Sequence, residues 1–440
     1  MTPGTVAAMQ AAASDLYEDV RYPGFPFPQT HPDRLALLAR LHGLEPAPPD
    51  GCRVLEVGCA DGINVLGMAA SAPGLEAVGF DSAAGPLEHG RELAQAAGLA
   101  NVRLEALDLR DAGDALGSFD YVVAHGLYAW VPDDVRDALM ALLARCLSPH
   151  GVAFVSYNAR PGSGIRALLR EMALMYAGDT TSAHERAAGA RELYELMAPW
   201  VTDRPDAYGR LLEHELERLR RLNTPALVHD DLSELYRPVW LRDFVTHARA
   251  HGLEYLAEAE LSELEADRHP EGFDAVLDQI AGADRVEWEQ YADFLAGRSF
   301  RQTLLCRAEA QPAPGELVRA IRRGEAVLPD EPRRHADAPG VRPEASPLAR
   351  AMARDGADLV NLRHEHVRFD DPLGRLLVRL LDGTRERPAL VDAVVSAVGG
   401  ELRLTQDGEP VTDGELLRPQ IAEGLEHNLH VIAGLGLLRP

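Results

Sequence analysis

The stretch Val54-Leu55-Glu56-Val57-Gly58-Cys59-Ala60-Asp61-Gly62-Ile63-Asn64 decides the fold. Residues 54–57 are apolar apart from one acid, which predicts a short buried strand. Two glycines then bracket a tight turn, and the apolar run after Asn64 predicts a helix. A strand, a glycine-rich turn and a helix in this order bring the backbone close to a nucleotide-like ligand. Because Glu56 would repel a pyrophosphate, the ligand should carry a positive charge near this acid.

Four further segments predict strands that continue the pattern. The second strand ends at Asp81 and the third reaches Asp108. A carboxylate at the end of the second strand can accept hydrogen bonds from both hydroxyls of a ribose. The series therefore predicts an open, mostly parallel sheet that binds a nucleoside at one edge. The four segments are 75–81, 102–109, 119–126 and 152–158.

The spacing Glu-x-Gly-x-Ala-x-Gly over residues 56–62 resembles the first motif of class I S-adenosylmethionine (SAM) methyltransferases. Ala60 stands where that motif usually has its middle glycine. The alternative is a nicotinamide-binding Rossmann domain, which would require the pattern Gly-x-Gly-x-x-Gly. The acid of the first strand favours SAM instead, because the methionine part of SAM carries a cationic amino group. The resemblance implies SAM as the cofactor, held by residues at the motif and at the strand ends: Glu56, Gly58, Cys59, Ala60, Gly62, Asn64, Asp81, Ser82, Asp108, Leu109 and His125.

Aromatic and polar side chains that follow the predicted strands are candidates for the reaction itself. In open parallel sheets ligands bind beyond the carboxyl ends of the strands, where segments 125–130 and 157–158 lie. The proline-rich segment 17–32 carries alternating aromatic residues, and it either wraps the sheet edge or forms a flap over cofactor and substrate. Trp130 has the alternative of packing under the next helix. The candidate catalytic residues are Tyr22, His31, His125, Tyr128, Trp130, Tyr157 and Asn158.

The composition limits the partners and the compartment. A formal net charge of −25 argues against nucleic acid and favours a basic partner, and the sequence contains no lysine, so that all 44 basic residues are arginines. No run of 18 apolar residues predicts a membrane span and no signal peptide is apparent, so a cytoplasmic protein is expected. No metal site is expected, because the four cysteines lack the spacing of a zinc or disulfide set: Cys52, Cys59, Cys146 and Cys306.

The chain divides into six predicted segments. Residues 254–294 carry 13 acidic residues and two arginines, a net charge of −11, which predicts either a solvated helical face or a dock for a basic substrate. A seventh strand at 300–307 is expected at the antiparallel edge of the sheet. The segments are a proline- and aromatic-rich arm with a helix (1–50), the SAM-binding core (51–164), a helical lid insertion (165–237), the returning strands with an acidic helical insertion (238–308), a proline-rich linker (309–347) and a separate C-terminal winged-helix-like domain (348–440).

Together with the SAM motif, four further motifs resemble those of the rickettsial-type protein lysine methyltransferases. The resemblance implies a class I methyltransferase domain, a methyltransferase regulatory domain, taken here as the insertion at 165–237, and a C-terminal domain. The predicted fold is thus an α/β, Rossmann-like, seven-stranded sheet with helical insertions, followed by a winged-helix-like α+β domain. The motifs are Pro26-Phe-Pro-x-Thr-His-Pro32, Ala124-His-Gly126, Val155-Ser-Tyr-Asn158 and Phe300-Arg-Gln-Thr-Leu-Leu-Cys306.

The predicted function is SAM-dependent N-methylation of lysine side chains in a protein substrate, which the resemblance implies. Members of that family methylate lysines of outer-membrane proteins. Two alternatives remain open at the level of sequence. One is methylation of a small molecule or a ribosomal peptide, and the other is a SAM-sensing regulator without turnover. The partner should be a basic or lysine-bearing protein, because the chain itself is acidic.

Overall fold

The computed structural model describes residues 24–440 except 179, 181, 234, 265–269, 271, 331, 355 and 407–408. Its centre is a seven-stranded sheet in the order β3-β2-β1-β4-β5-β7-β6. Strands β1 to β5 run parallel, so their carboxyl ends meet at one edge. The predicted α/β sheet is confirmed. The strands are β1 (Arg53–Val57), β2 (Glu76–Asp81), β3 (Val102–Ala106), β4 (Phe119–Ala124), β5 (Leu147–Asn158), β6 (Leu253–Glu258) and β7 (Phe300–Arg307).

Strand β7 lies inside the sheet, so its predicted position at the edge was wrong. It pairs antiparallel with β5 on one side and with β6 on the other, which leaves β6 at the edge. An antiparallel strand begins where its parallel neighbours end. Phe300, the first residue of β7, is therefore paired with Asn158, the last residue of β5. This pairing adds Phe300 to the carboxyl edge of the sheet.

Helices cover both faces of the sheet. On one face, Leu139 and Phe244 lie in the same apolar cluster as the strand residues Leu55 and Val122. On the other face, the cluster contains Leu35 and further helical residues packed on β1 and β4. The helices of this part are α1 (Pro32–Leu41), α2 (Ile63–Ser71), α3 (Ala84–Ala97), α4 (Asp133–Cys146), α8 (Leu241–Ala250), α9 (Phe273–Ala281), α10 (Arg285–Ala296) and α11 (Glu316–Arg322).

The insertion after β5 is helical, as the sequence predicts. It contains α5 (Ser163–Ala177), α6 (Ala183–Thr202) and α7 (Ala207–Arg221), followed by a short π-helical segment, Leu227–Asp231. The three helices bury a core of their own, which includes Leu169, Tyr194, Leu212 and Leu216. This core makes the insertion a small bundle that stands over the carboxyl edge of the sheet.

The C-terminal segment, predicted as a separate domain, packs against the sheet domain. Its apolar cluster includes Ile63 and Leu66 from α2 together with Leu348 and Leu377. Burial of shared apolar surface holds the two parts together. The segment comprises α12 (Pro347–Met352), α13 (Pro372–Leu380), α14 (Arg387–Ala397) and α15 (Arg418–Gly434), and the two-stranded sheets β8–β9 (Leu359–Val360, His366–Val367) and β10–β11 (Leu404–Gln406, Glu409–Val411).

The acidic run at 254–294 is only partly a solvated face. Three of its acids, Glu258, Glu289 and Asp293, are buried around the fully buried guanidinium of Arg301. The nitrogen–oxygen distances are 2.6, 3.1 and 2.8 Å. The side chain of Arg298 neutralises a further part of the run. Sequence periodicity could not reveal this pairing, because Arg301 lies outside the run and reaches it through tertiary contacts.

Removal of the Arg301 guanidinium should destabilise the fold strongly. Arg301→Ala removes the cation that three buried carboxylates share, and breaking a buried ion pair costs about 3–5 kcal/mol. Urea unfolding of the full chain measures the free energy of unfolding. The matched control is Arg319→Ala, whose half-exposed side chain pairs with an exposed acid and should change stability by less than about 1 kcal/mol. Equal losses in both variants would contradict the structural role given to Arg301.

Candidate active site

A cavity of about 720 Å³ opens at the carboxyl edge of the sheet. Parallel sheets bind ligands at this edge, beside the point where the strand order reverses between β1 and β4. The strand ends and the turns that follow them form the floor, while the N-terminal arm, the β4–α4 loop and the insertion form the walls. The lining residues from the predicted set are Glu56, Gly58, Cys59, Ala60, Asn64, Asp81, Ser82, Asp108, Leu109, His125, Trp130 and Asn158.

The turn after β1 has the backbone conformation that its glycines predict. Gly58 and Gly62 have φ angles of 70° and 76°, and Ala60 is left-handed as well at 49°. The amide of Ala60 donates to Oδ2 of Asp81 at 2.9 Å, which ties the turn to the end of β2. Gly62 does not line the cavity. It begins α2, and a Cβ at this position would lie 2.9 Å from the side chain of Leu104.

The carboxylate of Glu56 is buried at the floor of the cavity. Its Oε1 accepts a hydrogen bond from Nδ2 of Asn64 at 2.8 Å, whereas Oε2 has no hydrogen-bond partner among the described residues. Burial raises the pKa of Glu56 to about 8. A buried carboxylate oxygen without a partner costs free energy unless a ligand supplies a donor. The arrangement fits a cationic group, such as the amino group of SAM.

Two further acids follow β2 and β3, and their surroundings differ. The oxygens of Asp81 accept from the amides of Ala60 and Ala83, each at 2.9 Å, and burial raises the pKa of Asp81. A carboxylate can accept about four hydrogen bonds, so Asp81 keeps acceptor capacity for a ligand hydroxyl. Asp108 is paired instead with Arg110 through two hydrogen bonds, which lowers its pKa. The side chain of Asp108 is therefore already engaged, whereas Asp81 has free acceptor capacity.

The N-terminal arm forms one wall of the cavity. The amide of Phe27 donates to Oδ1 of Asn64 at 2.8 Å, and the amide of Gly24 donates to Oδ2 of Asp61 at 3.2 Å. Gly24, Phe25 and Phe27 line the cavity directly. The described part of the arm thus has the position of a flap. Tyr22, which belongs to the same proline-rich segment, lies outside the described residues.

Three aromatic rings line one side of the cavity. The His125 ring stacks on Phe27 with a centroid distance of 3.6 Å and lies 6.3 Å from the ring of Phe300. Burial lowers the pKa of His125 to about 4, so the imidazole is neutral at pH 7. Trp130 lines the cavity and also packs on Tyr236. Asn158 adds a polar group, since its Oδ1 is buried without a partner among the described residues.

The insertion supplies a second set of lining residues that the sequence analysis missed. Arg166 donates to Oδ1 of Asp231 at 2.7 Å and lies over the Trp130 ring at 5.8 Å. Arg218 reaches the same carboxylate at 2.7 Å. Asp231 belongs to the π-helical segment, a geometry that is frequent at functional sites. Arg166 and Arg218 are thus paired with Asp231 inside the insertion, and helical periodicity alone could not place them over the cavity.

Three predicted catalytic residues do not reach the cavity. Tyr157 is fully buried in the core and its hydroxyl bonds to Thr303 at 2.9 Å, because successive residues of a strand face opposite sides of the sheet. Tyr128 turns away from the cavity, and its hydroxyl contacts Nδ1 of His247 at 2.9 Å. His31 caps α1 and contacts Ser71, which is a structural role.

The C-terminal segment contributes a contact to the site that the sequence analysis did not anticipate. Nε2 of the buried His364 lies 2.7 Å from Oδ1 of Asn64. Burial holds the pKa of His364 well below its usual range, so the neutral ring donates its Nε2–H. A contact across 300 residues leaves no local signal in the sequence.

The strand order, the glycine turn and the acids at the strand ends define a class I SAM-dependent methyltransferase. Family models match in three places: a methyltransferase domain over 54–151, a predicted methyltransferase regulatory domain over 223–307 and the C-terminal winged helix domain of PKMT over 342–437. The regulatory-domain match shares only 223–237 with the predicted lid insertion. The chain belongs to the rickettsial-type protein lysine methyltransferase (PKMT) family.

Relatives of this chain occur in rickettsiae. The protein RP028 of Rickettsia prowazekii is 30% identical over 233 residues, which cover 53% of this chain and 93% of RP028. The protein RP789 of the same organism is 33% identical over 291 residues, which cover 66% of this chain and 52% of RP789. The chain therefore spans about half the length of RP789.

Solved structures of PKMT2 from Rickettsia typhi have the same fold. Each is 22% identical to this chain, with a TM-score of 0.80, and covers 95% of it. One covers 100% of the PKMT2 chain, and the other, in complex with AdoHcy, covers 99% of it. The fold of the entire described chain, and not only of the methyltransferase sheet, is shared with PKMT2.

The contact between His364 and Asn64 should support cofactor binding. His364→Ala removes a donor to the amide that positions Glu56, so SAM affinity should fall by about 0.5–1.5 kcal/mol, the range for one neutral hydrogen bond. Titration calorimetry measures the affinity. The control His427→Ala alters an exposed histidine on α15 and should leave SAM affinity unchanged. Unchanged affinity in a folded His364→Ala variant would show that the C-terminal segment does not act on the cofactor site.

Proposed function

We propose that this protein transfers a methyl group from SAM to the side-chain amine of lysine in a protein substrate. The buried, unpartnered Oε2 of Glu56 at the floor of a cavity walled by aromatic rings is the observation that carries the proposal. The acid can pair with the amino group of the cofactor. The aromatic wall can desolvate a substrate amine and so favour its neutral form. The PKMT family models support the choice of lysine.

The residues of the cavity fit SAM. Oε2 of Glu56 would accept the cofactor's amino group, and the free lone pairs of Asp81 would accept the ribose hydroxyls. The backbone of the turn at 58–60 and the segment at Asp108 and Leu109 would border the rest of the nucleoside. A volume of about 720 Å³ lies within the range of about 300–1,000 Å³ of small-molecule sites and leaves room for a substrate side chain.

The cavity wall favours the neutral form of an entering amine. Lysine has a pKa of about 10.4 in water, and its amine must be neutral to act as a nucleophile. Desolvation by the rings of Phe27, His125 and Phe300 lowers the pKa of a buried amine. His125 is itself uncharged at pH 7, so it adds no repulsion. SAM supplies an electrophilic methyl group on a sulfonium, and the chain's task is to align the amine with it.

Asn158 would orient the amine. Its Oδ1 is buried without a described partner, at the edge where the aromatic wall meets the lid. A neutral amine has two N–H donors and one lone pair, so a hydrogen bond from the amine to Oδ1 fixes the direction of the lone pair. Of the predicted catalytic residues, His125, Trp130 and Asn158 line the cavity. Asn158 is the hydrogen-bonding candidate and the other two are wall residues.

The charge of the chain fits a basic protein partner. The sequence has 69 acidic residues against 44 arginines, and such a surface attracts basic proteins and repels nucleic acid. Because the chain has no lysine, its side chains cannot compete as methyl acceptors of this type. Within the described residues, every helix is too short or too polar to cross a membrane.

SAM binding should release a proton from Glu56. With a pKa of about 8, the carboxyl is largely protonated at pH 7, and it must ionise to pair with the cofactor's amino group. SAM affinity should therefore rise from pH 6 to pH 7.5, by up to about tenfold per pH unit, and the binding enthalpy should depend on the buffer's ionisation enthalpy. Calorimetry in two buffers measures the released proton.

Two variants make the proton experiment specific. Glu56→Gln should weaken SAM by about 1.5–3 kcal/mol and abolish proton release, because no carboxyl remains to ionise. Asp108→Asn is the control, since Asp108 is already ionised beside Arg110 and should not change the number of protons released. A wild-type enthalpy that is the same in both buffers would contradict the pairing of Glu56 with the amino group.

Transfer to lysine should be detectable by mass spectrometry. The purified full chain, SAM and a panel of lysine-bearing basic proteins should yield peptides with methylated lysine. Asn158→Ala should lower kcat/KM at least tenfold with SAM affinity unchanged, because it loses an interaction with the substrate only. Methylation of small molecules but of no protein would show that the substrate is not a protein lysine. SAM binding without any methyl transfer would favour the SAM-sensing regulator.

A further inference from the structure

We propose that Asp137, His247 and His251 form a binding site for a divalent transition-metal ion such as Zn²⁺. Asp137 lies on α4, His247 lies in the last turn of α8, and His251 follows the end of that helix. The three ligand atoms lie within 4.8 Å of one another. The cluster is on the outer face of the sheet domain, apart from the cavity residues.

The two distances to Asp137 are close to those between the ligands of a tetrahedral ion. Nε2 of His247 and Nε2 of His251 lie 3.4 and 3.0 Å from the same oxygen of Asp137, Oδ1. Zinc binds imidazole nitrogen and carboxylate oxygen at about 2.0–2.1 Å, which places tetrahedral ligands about 3.3 Å apart. An ion can therefore be accommodated by small side-chain rotations. Two histidines and one carboxylate also leave a fourth position for water.

Tyr128 prepares His247 for this role. Its hydroxyl contacts Nδ1 of His247 at 2.9 Å, and burial raises the pKa of Tyr128 to about 12, so that the phenol stays protonated. When Nδ1–H donates to the phenol oxygen, Nε2 presents its lone pair toward Asp137. Metal-ligating histidines characteristically have such a partner on the second ring nitrogen.

The ligands keep partial access to solvent. The side chains of His247 and His251 are 26% and 21% exposed, and that of Asp137 is 67% exposed. A solvent-exposed carboxylate is ionised at neutral pH. Ionised carboxylate and imidazole both suit zinc. The alternative to a metal ion is a hydrogen bond from each histidine to Asp137. That arrangement requires a proton on each Nε2, whereas a metal ion requires a lone pair there.

An ion bound by these three residues would connect α4 with the end of α8. Tyr128 belongs to the β4–α4 loop, and its neighbours Leu127 and Trp130 line the cavity. The guanidinium of Arg136, one residue before the Asp137 ligand, donates to the carbonyl of Tyr128 at 2.6 Å. Bound metal would therefore fix α4, α8 and this loop relative to one another.

The test uses the full chain, first freed of metal with a chelator, and then Zn²⁺ or Co²⁺ alone. The wild type should bind one equivalent of Zn²⁺ in competition with a chromophoric chelator, and Co²⁺ should give visible bands of a four- or five-coordinate ion. His247→Ala/His251→Ala should abolish both signals. Asp137→Asn should weaken zinc at least tenfold, and Tyr128→Phe should weaken it about 10- to 100-fold, as loss of an outer partner does.

The matched control is His427→Ala/His430→Ala, which removes two exposed histidines from α15 and should keep full metal binding. Far-ultraviolet circular dichroism shows whether each variant is folded. If the double histidine variant does not fold, Asp137→Asn, which preserves the shape of the side chain, serves as the test variant. Equal zinc affinity in the wild type and in folded His247→Ala/His251→Ala would overturn the proposal. A thiolate-to-cobalt charge-transfer band would also overturn it, because the ion would then sit on cysteine.

Discussion

The side-chain amide of Asn64 is the interaction on which the site depends. Its Nδ2 donates to Glu56, and its Oδ1 accepts from the amide of Phe27 and from His364. One amide thus holds the acid of β1, the N-terminal arm and the C-terminal segment in a single arrangement. Because Asn64 is buried, each of these polar contacts would be costly to leave unmade. The acid at the centre of the site is positioned by parts of the chain that meet only in the folded protein.

The sequence predicts the floor of the site well, because local rules determine it. The turn at 58–62, the acids that end the strands and the ring of His125 all lie next to elements whose period and length are readable. The same rules predict side-chain positions wrongly where a residue can face either side of the sheet. Tyr157 lies at a predicted site position, yet it turns into the core, because strand alternation puts it on the face opposite to Asn158.

Long-range partners account for the other differences between prediction and structure. In the sequence, the acidic run at 254–294 indicates a solvated face, whereas in the fold three of its carboxylates surround Arg301. His364 has a polar partner only because the fold brings α2 beside it. The spacing of His247 and His251 is a local signal, because it puts both rings on one side of a helix end. The partner Asp137 lies more than a hundred residues away, so only the fold completes the set.

The contact between His364 and Asn64 also orders events during synthesis. The residues that form the floor of the cavity leave the ribosome first, and their last partner follows 300 residues later. At about 5–20 residues per second, this interval lasts roughly 15–60 s. During that time the nascent chain exposes the apolar face of α2 that the C-terminal segment later covers. An apolar face that stays uncovered for this long is a site of aggregation, and a chaperone that covers it would protect the unfinished chain.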